Sequence, residues 1–361
     1  MKSGQGERRG VAEGKIGYSA FRLLSNSFGA RRGDILLGPR FGADFGVVSL
    51  KGGIVMAVST DPLYLNTKMA LRDSAWFAFH IAVADVALSG IPPSFMVLDW
   101  NLPPDFSDSD LRTVSGVFGR ESSKCGISVL TGHTGRYEGC RLPIAGAATC
   151  IAYGDAGRLI LPVSSRPGDV LIAAGTPALE TAFLLSYELE DLISSAAGHS
   201  FIKGIRKRMT ELSVIDKVRV LSGTKGITAM HDVSERGFYG AVHEMSIASG
   251  KRFSLRSSSL HIDSAVARLS SLLGFDPLES SSEGMVLITA RSSAASSVLG
   301  ELERNHIPCS VCGKVERGRP LVTDDASGVK RRISYPTEDG FLSALANCRK
   351  SAKLGDSPLA L

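Results

Sequence analysis

Met69 to Ser89 has helical length and is apolar nearly all round, which implies burial, yet it carries Asp85 inside Ile81-Ala-Val-Ala-Asp-Val-Ala-Leu88. A carboxylate there costs several kcal/mol unless something compensates it. Either a cation meets it, or it caps a neighbouring loop. Two more carboxylates pose the same question. Asp44 sits in Gly38-Pro-Arg-Phe-Gly42-Ala-Asp-Phe-Gly46, where glycines let backbone amides approach an anion and where a plain turn is the alternative. Asp61 follows the strand Ile54 to Ser59 as Ser-Thr-Asp-Pro, a strand-end position from which Thr60 and Asp61 face a ligand or cap the next segment. Three such carboxylates suit Mg²⁺, which takes hard oxygen ligands and bridges them to nucleotide phosphates.

Two further segments have the composition of anion sites. Thr131-Gly-His-Thr-Gly135 ends a predicted strand, so Gly132, His133 and Thr134 serve a phosphate or make a turn. His231-Asp-Val-Ser-Glu-Arg-Gly237 joins the strand Gly226 to Met230 to the helix Phe238 to Ala248, where free amides favour an anion. Asp232 or Ser234 as N-cap is the structural alternative. Familiar devices are absent: there is no Gly-x-x-x-x-Gly-Lys-Ser/Thr, no Gly-x-Gly-x-x-Gly after a strand, and His243-Glu244 lacks a zincin's second histidine. Cys309-Ser-Val-Cys312 has half-site spacing but no second pair, and reads as core cysteines.

A chain of 361 residues exceeds one ordinary core, and the Pro- and Ser-rich texture from Leu161 to Asp169 marks a boundary. The expected units are an N-terminal domain over 1–163 with a mobile glycine-rich segment 1–16, a C-terminal domain over 164–348, and a loose tail 349–361. The first half reads as a helix Ile16 to Phe28, a loop Gly33 to Asp44, strands Gly46 to Leu50, Gly53 to Ser59, Ser94 to Trp100, Ile127 to Thr131 and Leu142 to Tyr153, and a helix Ser107 to Lys124. The second half alternates strands with helices, as a layered α/β unit does. The net charge of +5 is small for a nucleic-acid binder. The most apolar stretch, Trp76 to Trp100, is interrupted by His80, Asp85 and Pro92-Pro93, so no membrane span is expected. Six scattered cysteines and no signal-peptide pattern point to a reducing, cytoplasmic location.

Taken in order, Gly-Pro-Arg-Phe-Gly-Ala-Asp44, Ser-Thr-Asp61, Ala-Asp85-Val-Ala-Leu-Ser-Gly90-Ile-Pro92, Thr-Gly-His-Thr134, Arg-Pro-Gly168-Asp169, Met-His231-Asp232-Val-Ser-Glu235-Arg-Gly237, Gly274-Phe-Asp276-Pro277, Glu283-Gly284 and Gly313-Lys-Val315 resemble a known superfamily. It comprises aminoimidazole ribonucleotide (AIR) synthetase, thiamine-monophosphate kinase, selenophosphate synthetase and the hydrogenase-maturation protein HypE. The resemblance spans roughly Gly38 to Val315. It implies a two-domain, PurM-like α/β (α+β) fold, with N-terminal strands joining a partner's in a barrel at a homodimer interface. It also implies ATP and Mg²⁺ in the cleft between domains and phosphoryl transfer to an oxygen of a small substrate. Carried over, Asp44, Asp61 and Asp85 are the metal residues, and Gly42, Asp44, Thr60, Asp61, Gly132, His133 and Thr134 the nucleotide residues. Asp85, Asp232 and Glu235 are the catalytic set.

The sequence departs from the pattern at Ala84 (usually Asn), His133 (usually acidic) and Arg236 (usually Gly). These departures motivate a second reading, a nucleotide-binding assembly or regulatory protein with weak catalysis. No cysteine precedes Cys125, which disfavours selenophosphate synthesis. HypE chemistry uses a C-terminal cysteine, whereas this chain ends Asp356-Ser-Pro-Leu-Ala-Leu361 after Cys348; either Cys348 is a displaced substitute or that chemistry is absent, and absence is the expectation. Gly175-Thr-Pro-Ala-Leu-Glu180 replaces the usual Gly-x-x-Gly, so the acceptor pocket is unfamiliar.

Overall fold

The first half of the chain supplies β1 (Ile35–Leu37), β2 (Gly46–Ser49), β3 (Ile54–Tyr64), β4 (Pro93–Leu102), β5 (Ser128–Arg136) and β6 (Ile144–Asp155). They form one sheet in the order β1-β2-β3-β6-β4-β5, antiparallel except for β4 beside β5. Strand alternation turns Val55, Ala57 and Leu63 of β3 toward the helix Leu71–Ala87, and Asp61 shares that parity. The computed structural model describes residues 14–24, 27–326 and 328–353. Residues 1–13 of the expected glycine-rich segment and 354–361 of the expected tail lie outside the described residues.

Three local expectations are corrected. The loop predicted over Gly33 to Asp44 contains β1. β3 continues through Pro62 because the proline falls at a register irregularity against β6, so Asp61 lies within a strand rather than at its end. β5 runs to Arg136, which puts Thr131 to Gly135 inside it. Gly132 serves strand packing there: a Cβ would lie 2.1 Å from the carbonyl oxygen of Leu98 on β4. The helix Asp108–Cys125 starts as its sequence directs, with Ser107 and Asp110 forming a reciprocal capping box.

The second sheet comprises β7 (Asp169–Ala174), β8 (Ile227–Asp232), β9 (Arg252–Leu255), β10 (Val286–Arg291), β11 (Cys309–Glu316), β12 (Leu321–Asp324) and β13 (Arg331–Arg332). Its order is β13-β12-β9-β11-β7-β10-β8, antiparallel except for β9 beside β12. Strands consecutive in sequence are mostly not neighbours in this sheet. Both faces are buried. Ile172, Met230 and Ile288 pack into the core shared with the first sheet and the helix Leu71–Ala87, while Leu171, Ala229 and Leu287 pack under the helix Gly237–Ser249. That shared core locks the two sheets together through the helix that carries Asp85. Cys312 is fully buried on β11 and Cys309 partly so. Among the described residues no helix is long and apolar enough to cross a membrane.

Candidate active site

The loop between β1 and β2 carries Asp44 across to the second half of the chain. Gly42 makes the approach possible: its φ is +77°, and a Cβ there would lie 2.3 Å from the carbonyl oxygen of Glu244 on the helix Gly237–Ser249. Phe41 packs beside Tyr335, with ring centroids 6.0 Å apart. A small cavity of about 10 Å³ is lined by Asp44, Asp85, His231 and Asp232. That is room for about one water-sized or ion-sized occupant. Asp61 joins from β3, close enough that its carboxyl and that of Asp85 act on each other. Thus Asp44, Asp61, Asp85 and Asp232, from four separate elements, converge.

Their charges are strongly coupled. Burial pushes the Asp85 carboxyl well above the usual range, and Asp61, Asp232 and Asp44 push it further. Burial, with Asp44 and Asp232, raises Asp61 to about 7. Asp232 is also raised by burial, with His231 opposing. Burial would raise Asp44 as well, but the Lys15 ammonium and the His231 ring outweigh it and hold this carboxyl below its ordinary value. Two buried atoms in this group, Asp61 Oδ2 and His231 Nε2, have no hydrogen-bond partner. A donor set rich in carboxylate oxygens around one ion-sized space fits a small divalent cation.

Sequence reasoning missed two members of this centre. Lys15 Nζ lies 3.0 Å from both Asp44 Oδ1 and Glu244 Oε2. Its only sequence signal is its position directly after Gly14. Glu244, seven residues into an apolar helix, poses the same buried-carboxylate puzzle as Asp85. Tyr335 donates to Glu244 Oε1 at 2.8 Å, and Arg236 reaches the same tyrosine.

Thr60 and the predicted residues of β5 lie apart from the carboxylates. Thr60 faces the opposite side of β3 from Asp61 and bonds Thr149 Oγ1 at 2.9 Å. Gly132, His133 and Thr134 are exposed on the edge strand β5. Gly132 pairs with Leu98, which pairs with Ala148, which pairs with Asp61. Three strand spacings make that separation roughly 14 Å. His133 hydrogen-bonds the Tyr137 hydroxyl. Glu235, in the turn before the helix Gly237–Ser249, has its carboxyl raised by burial and lies near enough to the centre for Lys15 and Asp232 to act on it. That helix begins after Arg236 with no side-chain cap, so neither Asp232 nor Ser234 acts as its N-cap. Ala84 is buried in the core and does not face the centre's cavity. Arg236 adopts φ +67°, the left-handed region that favours glycine, and is held there by an N–H bond to Asp339 Oδ2. Cys348 packs against the core of the last helices, and burial raises its thiol.

Two mixed sheets clasping an acidic, ion-sized centre define a two-domain α/β protein of the PurM-like fold. The chain belongs to the AIR synthase-related family: residues 42–152 match the AIR synthase related protein N-terminal domain, and residues 166–325 match its C-terminal domain. It is 25% identical over 356 residues to carbamoyl dehydratase HypE of Cupriavidus necator, covering 94% of this chain and 88% of that one. It is 27% identical to a thiamine-monophosphate kinase of Nitrosopumilus maritimus, covering 62% and 68%. Among solved structures, the HypE–HypF complex superposes with a TM-score of 0.70 at 17% identity over 89% of this chain and all of the matched chain. HypE in complex with ATP gives 0.63 at 19% identity, over 91% and 98%.

Proposed function

We propose that this protein uses ATP and a divalent cation to transfer the terminal phosphoryl group to an oxygen of a small substrate. The observation that supports this best is the convergence of Asp44, Asp61, Asp85 and Asp232 with Lys15 around one ion-sized cavity. The family relationship, with relatives named as a carbamoyl dehydratase and a kinase and a fold relative solved with ATP, points the same way.

Asp44, Asp61 and Asp85 would hold the cation, with Asp232 beside them. When bound, the cation neutralises phosphate charge and aligns the triphosphate. The protein's own part is positioning. Lys15 offers a positive charge at the rim, where it meets phosphate oxygens arriving over Asp44. Asp85, whose carboxyl burial and its acidic neighbours push upward, would offer its oxygen to the cation as an ionised ligand. Thr60, Gly132, His133 and Thr134 lie on an exposed surface that could meet the nucleoside end only if the nucleotide extends along the sheet. Glu235, at the edge of the turn, faces the acceptor side. The oxygen that accepts the phosphoryl group belongs to a substrate seated between the two halves.

The exposed edge β5 supports a homodimer, in which a second copy covers it. The test of the main proposal is ATP consumption with Mg²⁺ and Asp85→Asn. Single-turnover loss of ATP in the wild type, reduced on the order of 100-fold in the variant, is expected. Undiminished turnover in Asp85→Asn overturns the assignment.

A further inference from the structure

His231 is superfluous in an oxygen-only magnesium site, yet it forms part of the wall of the carboxylate centre. Its side chain is 2% exposed. Nδ1 donates to the backbone carbonyl of Asp232 at 2.7 Å, which fixes the proton on that nitrogen. Nε2 is left facing the carboxylates. It lies 3.3 Å from Asp44 Oδ2 and 3.6 Å from Glu244 Oε2 and makes no hydrogen bond to either.

Lys15 leaves that nitrogen's side of Asp44 open. Its ammonium takes Asp44 Oδ1 and Glu244 Oε2, leaving Asp44 Oδ2 on the histidine side. One ligand atom from each of Asp44, His231 and Asp232 lies within 4.8 Å of the other two. The same three residues, with Asp85, border the ion-sized cavity.

We infer that the centre takes a nitrogen-accepting divalent ion of the Mn²⁺, Co²⁺ or Zn²⁺ class, with His231 Nε2 as a ligand beside carboxylate oxygens of Asp44 and Asp232. The inference rests on reading the pocket as a divalent-cation site and adds which ions it prefers. Mg²⁺ demands oxygen and keeps its waters, whereas imidazole suits the later ions. The bond from Nδ1 to a main-chain carbonyl is the outer contact that orients metal-bound histidines.

The experiment uses the full chain with its histidine ring nitrogens labelled with the heavy isotope, loaded with Mn²⁺ alone and with Mn²⁺ plus ATP, and read by electron spin-echo envelope modulation. The label separates the ring from adenine and backbone nitrogens. A histidine coupling is expected in the wild type and lost in His231→Asn, which also loses the preference for Mn²⁺ over Mg²⁺ in competition binding. Bound Mn²⁺ without a histidine coupling, or a coupling that survives in His231→Asn, overturns the inference and leaves the divalent site standing. Mn²⁺ that fails to bind under either condition overturns both. His231→Gln serves if His231→Asn fails to fold, and absence of the coupling in the wild type is decisive without any variant.

Discussion

Lys15 Nζ sits 3.0 Å from Asp44 Oδ1, so the short segment after the glycine-rich start of the chain places its own cation on the carboxylate that reaches across from the first sheet. Asp44, Glu244 and Asp232 together keep this ammonium charged against the cost of burial. A tethered cation and a divalent ion compete for the same oxygens. Removing the side chain charge in Lys15→Met is expected to tighten Mg²⁺ or Mn²⁺ binding in the absence of nucleotide. It also removes a positive charge from the triphosphate, and ATP turnover is expected to fall on the order of 100-fold. Calorimetric titration and a phosphate-release assay read the two effects separately. Metal affinity that falls with turnover would mean that Lys15 organises the carboxylates rather than competing for them.

Gly42 is the point at which the Asp44 loop touches the second half of the chain. Its φ of +77° and the 2.3 Å gap to the Glu244 carbonyl leave no room for a methyl group. Gly42→Ala is expected to cost about 2 kcal/mol through strain and displacement. Because the displaced residues are Asp44 and Glu244, divalent binding should weaken alongside the melting temperature. A variant that melts as the wild type does and binds metal normally would show that the loop can retreat freely.

The part of this centre legible in the sequence is the part that violates hydrophobic patterning. Asp85 stood out because an apolar helix has no reason to carry it, and Asp44 because glycines flank it. Lys15 carried no pattern, since a lysine after a glycine is unremarkable until the loop is folded over Asp44. Glu244 was visible as a carboxylate in an apolar helix, but its partners Lys15 and Tyr335 lie 229 and 91 residues away. The reason glycine is usual at position 236 emerged only from the backbone, where Arg236 occupies a left-handed conformation. The full lengths of β3 and β5 are not legible because Pro62 and Gly132 resemble terminators, whereas a register shift and a close strand contact accommodate them.

His80 gives the fold a pH dependence independent of the active site. Its ring stacks on Trp76 at 3.9 Å, contacts Ser213 Oγ at 2.8 Å through Nδ1 and lies 3.5 Å from Glu121 Oε2. Burial lowers its pKa to about 4, against the pull of Glu121 and Asp216 and with a small push from Lys124. The folded pKa lies below the unfolded one, so the unfolded chain binds the extra proton first. Stability from this group is complete above about pH 6.5 and declines as pH falls toward 4, by at most about 1.4 kcal/mol per pH unit. Urea unfolding at pH 7.5 and pH 5 is expected to show a smaller loss for His80→Gln than for the wild type. Parallel losses would place the proton uptake elsewhere.

The exposed edge strand offers a test of assembly. Val129 is 47% exposed and Leu130 57% exposed on β5, and Ile144 and Tyr153 on β6 are about half exposed. An unpaired edge with uncovered apolar side chains is a template for another strand, and a charge on such an edge blocks that pairing. A second copy of the chain covering β5 is therefore expected to be displaced by Leu130→Lys. The substitution leaves each subunit's core untouched, so its thermal unfolding at low concentration should match that of the wild type. Light scattering is expected to report a dimer for the wild type and a monomer for the variant. A wild type that is monomeric at micromolar concentration, or a variant that remains dimeric, would assign the exposed edge another role.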